Sequence, residues 1–333
     1  MKKKILITWG LGYIGSHAVV AFEEAWYEAV ILDNLSNSCL ATLRMISKTI
    51  WYTPKYYEID LRDISKLDEM FSKEQLDWVI HFAWLKSPFE SQKKSIYYFQ
   101  NNVSGSINLF EVMEKYWVDN IVFSSSANTY ESKNIPPIKE TDLQWPSNPY
   151  GTTKLLLEKI LEDLAKFTKF RVINLRYFNP IWAHSSWNLW ELPDGIPNNL
   201  FPFIFKVLTW ELYELKVFGW DYDTHDGTWI RDFIDVNDLV EAHILAYKKI
   251  EKEKQWYCDV FNVWTWRWIS VLDAIKAVEK WVWKKVNYKI VERRKWDIPI
   301  SFCDANKIKN ELWFKSQIQL EDSVLKSWKF YNK

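Results

Sequence analysis

The sequence predicts an α/β protein built on a doubly wound parallel sheet of the Rossmann type, with a smaller C-terminal α/β region. Two observations predict this fold. Short apolar runs alternate with longer amphipathic stretches through the first half of the chain, as strands and helices do around a parallel sheet. Near the start of the chain, an apolar run also leads into a turn that contains Gly10, Gly12 and Gly15, which is typical of a dinucleotide-binding start.

The predicted elements follow this alternation as far as about residue 180. Beyond it, polar loops that contain proline (183–202 and 218–232) are mixed with shorter elements. We therefore predict a dinucleotide-binding domain over residues 1–180. Residues 181–333 are predicted to form mainly a substrate-binding region, with some segments returning to the first domain. The strands are predicted at Lys4–Thr8, Ala29–Asp33, Trp78–Phe82, Asn120–Ser125 and Arg171–Leu175, and the helices at Ile14–Glu24, Asn102–Tyr116 and Tyr150–Phe167.

Composition excludes several classes of function. The 333 residues carry 43 basic and 43 acidic side chains, and a protein that binds nucleic acid usually has a basic excess. The three cysteines are far apart in the sequence, which argues against a metal site and indicates a reducing compartment. No apolar run approaches the roughly 18 residues of a membrane span. The basic start has too short an apolar run for a signal peptide. We expect a cytoplasmic protein.

The opening turn predicts a site for the pyrophosphate of a dinucleotide. Glycines there let the backbone approach the anion at the N-terminus of a helix, where amide groups and the helix dipole favour negative charge. Asp33 ends the second predicted strand, 18 residues after Gly15. A carboxylate in that place binds a ribose 2′-hydroxyl and repels a 2′-phosphate, so NAD is favoured over NADP. Taken alone, such an aspartate also serves as a helix cap.

A second motif predicts the chemistry. Tyr150 and Lys154 are four residues apart on a predicted helix and so lie on one face of it. A nearby ammonium lowers the pKa of a tyrosine and prepares it as a base near neutral pH. Ser126, at the end of the predicted strand before this helix, is placed to bind the same substrate oxygen. Alone, a tyrosine–lysine pair is more often an ordinary surface feature.

Together these motifs resemble the UDP-glucose 4-epimerase (UDP-galactose 4-epimerase) family of the extended short-chain dehydrogenases/reductases, over nearly the whole chain. The most specific matches are L-R-Y-F-N-P at Leu175–Pro180, G-I-P-N-N-L at Gly195–Leu200 and F-A-x-L-K at Phe82–Lys86. The resemblance implies an enzyme that holds NAD and a UDP-sugar and works as a homodimer.

The resemblance also implies which residues bind. Tyr150, Lys154 and Ser126 would be catalytic. Those around NAD would be Gly10, Gly12, Tyr13, Ile14, Gly15, Asp33, Asn34, Leu35, Ser36, Asn37, Ser38, Asp60, Leu61, Phe82, Ala83, Trp84, Leu85, Lys86, Asn101, Ser126, Tyr150, Lys154 and Phe178. Those around the UDP-sugar would be Ser126, Tyr150, Asn179, Asn199, Leu200, Lys216, Val217, Phe218, Arg231, Arg294, Asp297 and Ser301.

The implied reaction interconverts UDP-galactose and UDP-glucose. Tyr150 takes the proton of the sugar 4-hydroxyl while the C4 hydride passes to NAD. The 4-keto sugar then turns over, and the hydride and the proton return to its other face. Ser301 stands where some members of the family have a large tyrosine and others a small residue. The small version goes with acceptance of N-acetylated sugars, so UDP-GlcNAc and UDP-GalNAc are further expected substrates.

Tryptophan usage is abnormal. The chain has 22 tryptophans and 8 glycines, and the two together make about 9% of it, close to the usual share of glycine alone. One hypothesis is that UGA codons for glycine have been read as tryptophan, because so many bulky replacements at turns would be ruinous. The tryptophans at family glycine positions are Trp9, Trp26, Trp84, Trp117, Trp182, Trp187, Trp190, Trp210, Trp264, Trp266, Trp268, Trp296 and Trp313.

Two other functions stay open at this point. A nucleotide-sugar 4,6-dehydratase has the same fold, cofactor and tyrosine–lysine pair, but it uses an acid–base carboxylate near the serine. The segment Ser126-Ala127-Asn128-Thr129 has none. A non-catalytic NAD-binding protein is the alternative if the tryptophans are real, because an indole at Trp9 would fill the space that the pyrophosphate needs.

Overall fold

The computed structural model describes residues 2–82, 84–177, 179–181, 199–265, 267–293 and 298–332. Its strands are β1 Lys4–Thr8, β2 Glu28–Asp33, β3 Lys55–Glu58, β4 Trp78–His81, β5 Asn120–Ser124, β6 Arg171–Arg176, β7 Asn179–Ile181, β8 Leu215–Phe218, β9 Ile230–Asp235, β10 Tyr257–Asn262, β11 Trp268–Ser270, β12 Tyr288–Val291 and β13 Ile300–Ser301. Its helices are α1 Tyr13–Glu24, α2 Leu40–Ile50, α3 Ile64–Lys73, α4 Pro88–Lys93, α5 Ser95–Tyr98, α6 Gly105–Lys115, α7 Pro149–Phe167, α8 Leu200–Leu208, α9 Val236–Ile250, α10 Val271–Val282, α11 Asn306–Leu312 and α12 Leu320–Tyr331.

The main sheet has seven strands in the order β10-β6-β5-β4-β1-β2-β3, and all its pairs are parallel. The predicted doubly wound parallel sheet is therefore confirmed. Strand order reverses between β1 and β4. In open sheets of this kind, ligands bind outside the carboxyl ends of the strands at such a reversal.

Successive side chains of a strand point to opposite faces of the sheet. Helices cover both of these faces. On β1, Ile5 and Ile7 pack in one core cluster with residues of α1 and α9. Leu6 packs in a second cluster with residues of α3, α6 and α7. Both faces of the strand are buried away from solvent, which explains why its sequence is a continuous apolar run.

The later part of the chain builds two smaller sheets over a third core cluster. Strands β11, β9, β13 and β7 form one sheet, and β12 pairs with β8 in the other. Strand β10 returns to the main sheet beside β6, with Val260 opposite Asn174. The domain boundary at residue 180 stays a prediction.

Some predicted boundaries were wrong. The stretch 218–232 was predicted as a loop, but it includes the start of β9 at Ile230, which pairs with Ile300 of β13. Likewise α8 begins at Leu200, inside the predicted loop 183–202. In both cases tertiary pairing or packing gives structure to a stretch whose local sequence is polar. No helix in the described parts of the chain has the length and apolar character of a membrane span.

Candidate active site

The glycine turn after β1 is closed too tightly for side chains. A Cβ on Gly15 would lie 2.0 Å from the carbonyl oxygen of Trp9, and a Cβ on Gly10 would lie 2.9 Å from Cγ2 of Ile31. Gly12 caps α1 without a side-chain hydrogen bond to the helix amides. The first turn of α1 therefore offers its amides and its dipole to an anion, as the sequence predicts.

Asp33 joins the end of β2 to this turn. Its buried carboxylate accepts hydrogen bonds from the amides of Leu11 (3.0 Å) and Leu35 (2.9 Å) and from the Ser38 hydroxyl (2.6 Å). Burial raises the pKa of Asp33 and these hydrogen bonds oppose the rise. The three contacts fix the carboxylate at the carboxyl edge of the sheet, beside the glycine turn.

The neighbouring predicted residues lie along the same edge. Asn34 donates to Asp60 at 2.9 Å, and Asn34 in turn accepts from the amide and hydroxyl of Ser36. The arginine at position 62 holds the pKa of Asp60 well below its usual range. Leu61 is different, because its side chain is part of the second core cluster. The remaining residues of this group, Tyr13, Ile14 and Asn37, are half-buried or exposed around the turn and the end of β2.

The segment after β4 is held by a residue that the sequence analysis missed. Asn102 is fully buried, accepts from the amide of Leu85 (2.9 Å), and donates to the Leu85 carbonyl (3.1 Å) and to the Thr153 hydroxyl (3.2 Å). The predicted residue Asn101 donates to it at 3.0 Å. Asn102 therefore ties the segment with Phe82, Trp84, Leu85 and Lys86 to α7.

The helical irregularity around Asn102 was also missed. Residues Phe99–Ser104 form a π-helical insertion between α5 and α6. Such insertions are rare and are frequent at functional sites, because they redirect side chains on an otherwise regular helix. The only signal in the sequence was a pair of adjacent asparagines inside a predicted helical stretch.

Ser126, Tyr150 and Lys154 come together at the carboxyl end of β5. Asn148 caps α7 by accepting from the amide of Gly151 at 2.9 Å, which places Tyr150 in the first turn. A Cβ on Gly151 would lie 2.3 Å from the carbonyl oxygen of Asn128, so only glycine lets α7 approach this closely. Ser126 hydrogen-bonds Tyr150 as a result.

The expected lowering of the tyrosine pKa is wrong for this structure. Burial raises the pKa of Tyr150 to about 12, and the hydrogen bond with Ser126 only partly opposes it. Lys154 does not offset the burial because its ammonium donates to the Ser124 carbonyl and lies 5.8 Å from the centre of the Tyr150 ring. Burial also moves the pKa of Lys154 well below its usual value, against the opposing charge of Glu158.

Trp84 lies directly on Lys154, the lysine predicted to be catalytic. Its ring centre is 3.4 Å from the Lys154 ammonium, and it packs edge-on against Phe123 at 4.9 Å. The indole is 4% exposed and its buried Nε1 has no hydrogen-bond partner. An indole that fills this space without satisfying its own N–H covers the lysine that the sequence assigns to the cofactor.

The predicted substrate residues divide between two places. Ser301 of β13 lies in register with Arg231 of β9, and the Asn179 side chain donates to the Asp232 carbonyl at 3.4 Å. The second group belongs to other elements, α8 and β8. Val217 there is 1% exposed in the third core cluster, so its side chain does not reach a ligand and only its backbone is left for binding. That group consists of Asn199, Leu200, Lys216, Val217 and Phe218.

Comparisons with known proteins bear on this geometry. The model of the NAD dependent epimerase/dehydratase family matches residues 5–263. The UDP-glucose 4-epimerase of Bacillus subtilis (strain 168) is 43% identical over 98% of this chain and 96% of its own length. The chain belongs to the NAD dependent epimerase/dehydratase family, among its UDP-glucose 4-epimerases.

Solved structures agree with this membership. A UDP-glucose 4-epimerase from Stenotrophomonas maltophila, with bound NAD and formylated UDP-arabinopyranose, has a TM-score of 0.95 and 39% identity over 100% of this chain and 98% of that one. The Bifidobacterium longum enzyme, in complex with NAD+ and UDP, has a TM-score of 0.93 and 38% identity over 99% and 98%.

Four predicted site residues lie outside the described residues: Ala83, Phe178, Arg294 and Asp297. The same is true of the tryptophans Trp182, Trp187, Trp190, Trp266 and Trp296.

A buried ion pair supports the segment that contains Ser126. Arg176 donates to both carboxylate oxygens of Glu158, at 2.9 and 2.6 Å, and both side chains are about 95% buried. Glu158 also accepts from the Ser125 hydroxyl, next to Ser126, and Arg176 donates to the Tyr130 hydroxyl at 2.8 Å. The pair therefore links α7, β6 and the end of β5.

Glu158→Ala is expected to lower the free energy of unfolding by about 3–5 kcal/mol, because it leaves the Arg176 charge buried without its partner. Denaturant unfolding measures this. Glu162→Ala is the matched control on the same helix, since Glu162 is 57% exposed in its pair with Lys159, and its loss is expected to stay within about 1 kcal/mol. Equal losses in the two variants would contradict the role given to the buried pair.

Proposed function

We propose that this chain interconverts UDP-galactose and UDP-glucose with NAD as a bound cofactor. The observation that carries the proposal is the contact of Ser126 with Tyr150, with Lys154 one turn further along α7, at the carboxyl edge of a sheet whose β1 leads into the glycine turn. Neighbours with bound NAD and a UDP-sugar or UDP share this fold over essentially the full chain.

The residues at the sheet edge fit NAD. The turn leaves no room for a side chain at Gly15 and little at Gly10 and Gly12, and it leads into the uncapped start of α1, which suits a pyrophosphate. Asp33 fixes a buried carboxylate at the end of β2, the place in such a fold that suits a ribose diol. NAD supplies the chemistry that no side chain can, by accepting the hydride from C4 of the sugar and returning it.

The side chains supply the proton transfer and the orientation. Tyr150 takes the proton of the sugar 4-hydroxyl and later gives it back, with Ser126 hydrogen-bonded to the same oxygen. A phenol with a pKa of about 12 is a poor base at neutral pH. An oxidised nicotinamide, when bound, would add positive charge to the site, and this charge would favour the phenolate and lower the pKa of Tyr150. Arg231, in register with Ser301, binds the diphosphate.

A 4,6-dehydratase is less well supported. That reaction uses an acid–base carboxylate close to the serine, and this chain has Asn128 there instead. The Asn128 amide and side chain both lie 3.1 Å from the Ser126 hydroxyl oxygen and donate to it. Neither group transfers a proton at neutral pH.

Conversion of UDP-galactose to UDP-glucose by the purified protein tests the proposal. The assay is run on two forms of the protein. One has the sequence without substitutions, and the other has glycine in place of the tryptophans that occupy family glycine positions. Activity in either form supports an epimerase. If neither form is active although NAD remains bound, the dehydratase or the non-catalytic alternative becomes the better account.

We propose further that UDP-GlcNAc and UDP-GalNAc are substrates. Ser301 is 3% exposed and lines a small pocket together with Asn128, Glu131 and Ser147. A hydroxymethyl side chain at this position leaves space beside Ala127 and Asn128, the two residues that follow Ser126, and a larger residue would fill that space. That space suits the additional acetyl group of an N-acetylated sugar.

Ser301→Tyr is expected to reduce kcat/KM for UDP-GlcNAc by roughly 10- to 200-fold relative to UDP-galactose, since the phenol fills the pocket. Parallel assays with both sugars measure the ratio, and retained turnover of UDP-galactose shows that the variant folds. Ser301→Ala is the control and should keep both activities. If UDP-GlcNAc is no substrate of the unchanged enzyme, the extended substrate range is wrong.

We propose also a cytoplasmic homodimer. The homodimer follows from the resemblance, and it is supported by apolar side chains on two helix surfaces, Ile107 on α6 and Leu156 on α7, which are 44% and 42% exposed. The cytoplasmic location is supported by three free cysteines. Light scattering gives the mass in solution, and a monomer would contradict the dimer.

A further inference from the structure

Tryptophans occupy almost every left-handed backbone position that is not glycine. Among the described residues, nine non-glycine residues have positive φ, and eight of them are tryptophan; the ninth is Leu35. Asparagine, aspartate and histidine are the side chains usually enriched there, and none is present. The φ angles lie between 52° and 68° at Trp9, Trp26, Trp51, Trp117, Trp210, Trp256, Trp283 and Trp313.

Six of the eight end helices in the way that glycine does. Trp51, Trp283 and Trp313 are the left-handed C-caps of α2, α10 and α11. Helices very commonly end with a residue in this conformation, usually glycine, because a Cβ is strained there.

The other three lie one residue beyond a C-cap. After α1, the Trp26 amide donates to the Glu23 carbonyl and the Tyr27 amide donates to the Phe22 carbonyl, both at 3.0 Å. This pair of bonds defines the Schellman motif, in which glycine is the usual residue at the position of Trp26. Trp117, after α6, has the same two bonds. Trp210 follows the C-cap of α8, and its amide donates to the Val207 carbonyl.

The side chains at these positions have almost no packing role. Seven of the eight are 66% to 91% exposed, and Trp9 alone is half-buried. Lys2 and Lys169 lie over two of the exposed rings, which are contacts that any surface aromatic makes. Trp328 shows the contrast, because it lies within α12, packs against the third core cluster and stacks on Phe205.

We infer that the cell that makes this protein inserts glycine at these eight positions, with UGA as the codon. The inference rests on backbone conformation and exposure, and neither depends on any relative. It includes Trp51, Trp256 and Trp283, which the family resemblance does not mark as glycine positions. An aromatic binding surface does not explain the set, because six of the indoles stand at the ends of six separate helices.

Codons and peptide masses test the inference directly. The gene is expected to carry UGA at all eight positions and UGG at Trp328. Peptides of the protein isolated from its own cells are expected to have the mass of glycine at the eight positions. UGG codons there, or peptides with the mass of tryptophan, would overturn the inference.

Stability gives an independent test that needs no enzymatic activity. Trp51→Gly and Trp283→Gly are each expected to raise the midpoint of thermal unfolding by roughly 2 °C or more, because glycine removes the left-handed strain. Trp145→Gly is the matched control, because Trp145 is 69% exposed but has no positive φ. The midpoint of thermal unfolding of this variant should be unchanged or lower. A lower midpoint for both C-cap variants would overturn the assignment.

Discussion

The purified chain is expected to carry no NAD, and the joint replacement of Trp9 and Trp84 by glycine is expected to let it retain the cofactor. Trp84 fills the space over the Lys154 ammonium at 3.4 Å and leaves its own buried N–H unsatisfied. Trp9 brings a half-buried indole to the turn that must approach a pyrophosphate. Removing both side chains opens the space over Lys154 and the turn before α1 at once.

Absorbance of nicotinamide released after gel filtration measures the bound cofactor. The control is the double variant Trp51→Gly, Trp283→Gly, which changes two exposed helix ends and should not alter NAD content. In the absence of NAD, the Trp84 change is expected to destabilise the protein by about 3–5 kcal/mol, because it leaves a cavity. If the chain without substitutions already carries one NAD per protomer, the indoles do not obstruct the site.

Local sequence was enough to predict the edge of the sheet where the site lies. The apolar run of β1, the glycines after it and the aspartate that ends β2 are close in sequence, and each is dictated by backbone geometry within a few residues. The Ser126, Tyr150 and Lys154 group was also predictable, because a strand end and a helix start at a known spacing meet when the sheet is parallel.

The supports of the site were not predictable, because they depend on contacts between distant segments. Asn102 reaches Leu85 and Thr153, 17 and 51 residues away. Arg176 reaches Glu158 across the sheet and helix layers. The sign of the Tyr150 pKa shift failed for the same reason: spacing places a lysine near the tyrosine, but only the packed structure shows that burial outweighs it.

The left-handed positions are intermediate between these cases. Resemblance marked five of the eight, because the family pattern has glycine at those positions. Trp51, Trp256 and Trp283 are not marked in this way, and only their φ angles reveal them. Composition shows only that the chain as a whole has too many tryptophans and too few glycines. Backbone conformation shows at which positions the residue type is wrong.

Tyr150→Phe is expected to lower kcat for UDP-galactose by about 10²–10⁴-fold with little change in KM, measured in whichever form of the chain turns over that sugar. The change deletes one hydroxyl, and the ring still fills its buried place at the start of α7. A loss confined to kcat indicates a group that acts in the transition state and not in substrate binding.

Tyr177→Phe is the matched control, because Tyr177 is also buried and its hydroxyl also bonds a serine of the same segment, Ser124. Loss of the Tyr177 hydroxyl is expected to lower the free energy of unfolding by about 1 kcal/mol and to change kcat by only a few-fold. If Tyr150→Phe keeps full activity, the proton must be transferred by another group. The phenol with a pKa of about 12 would then be only a buried hydrogen-bond partner of Ser126.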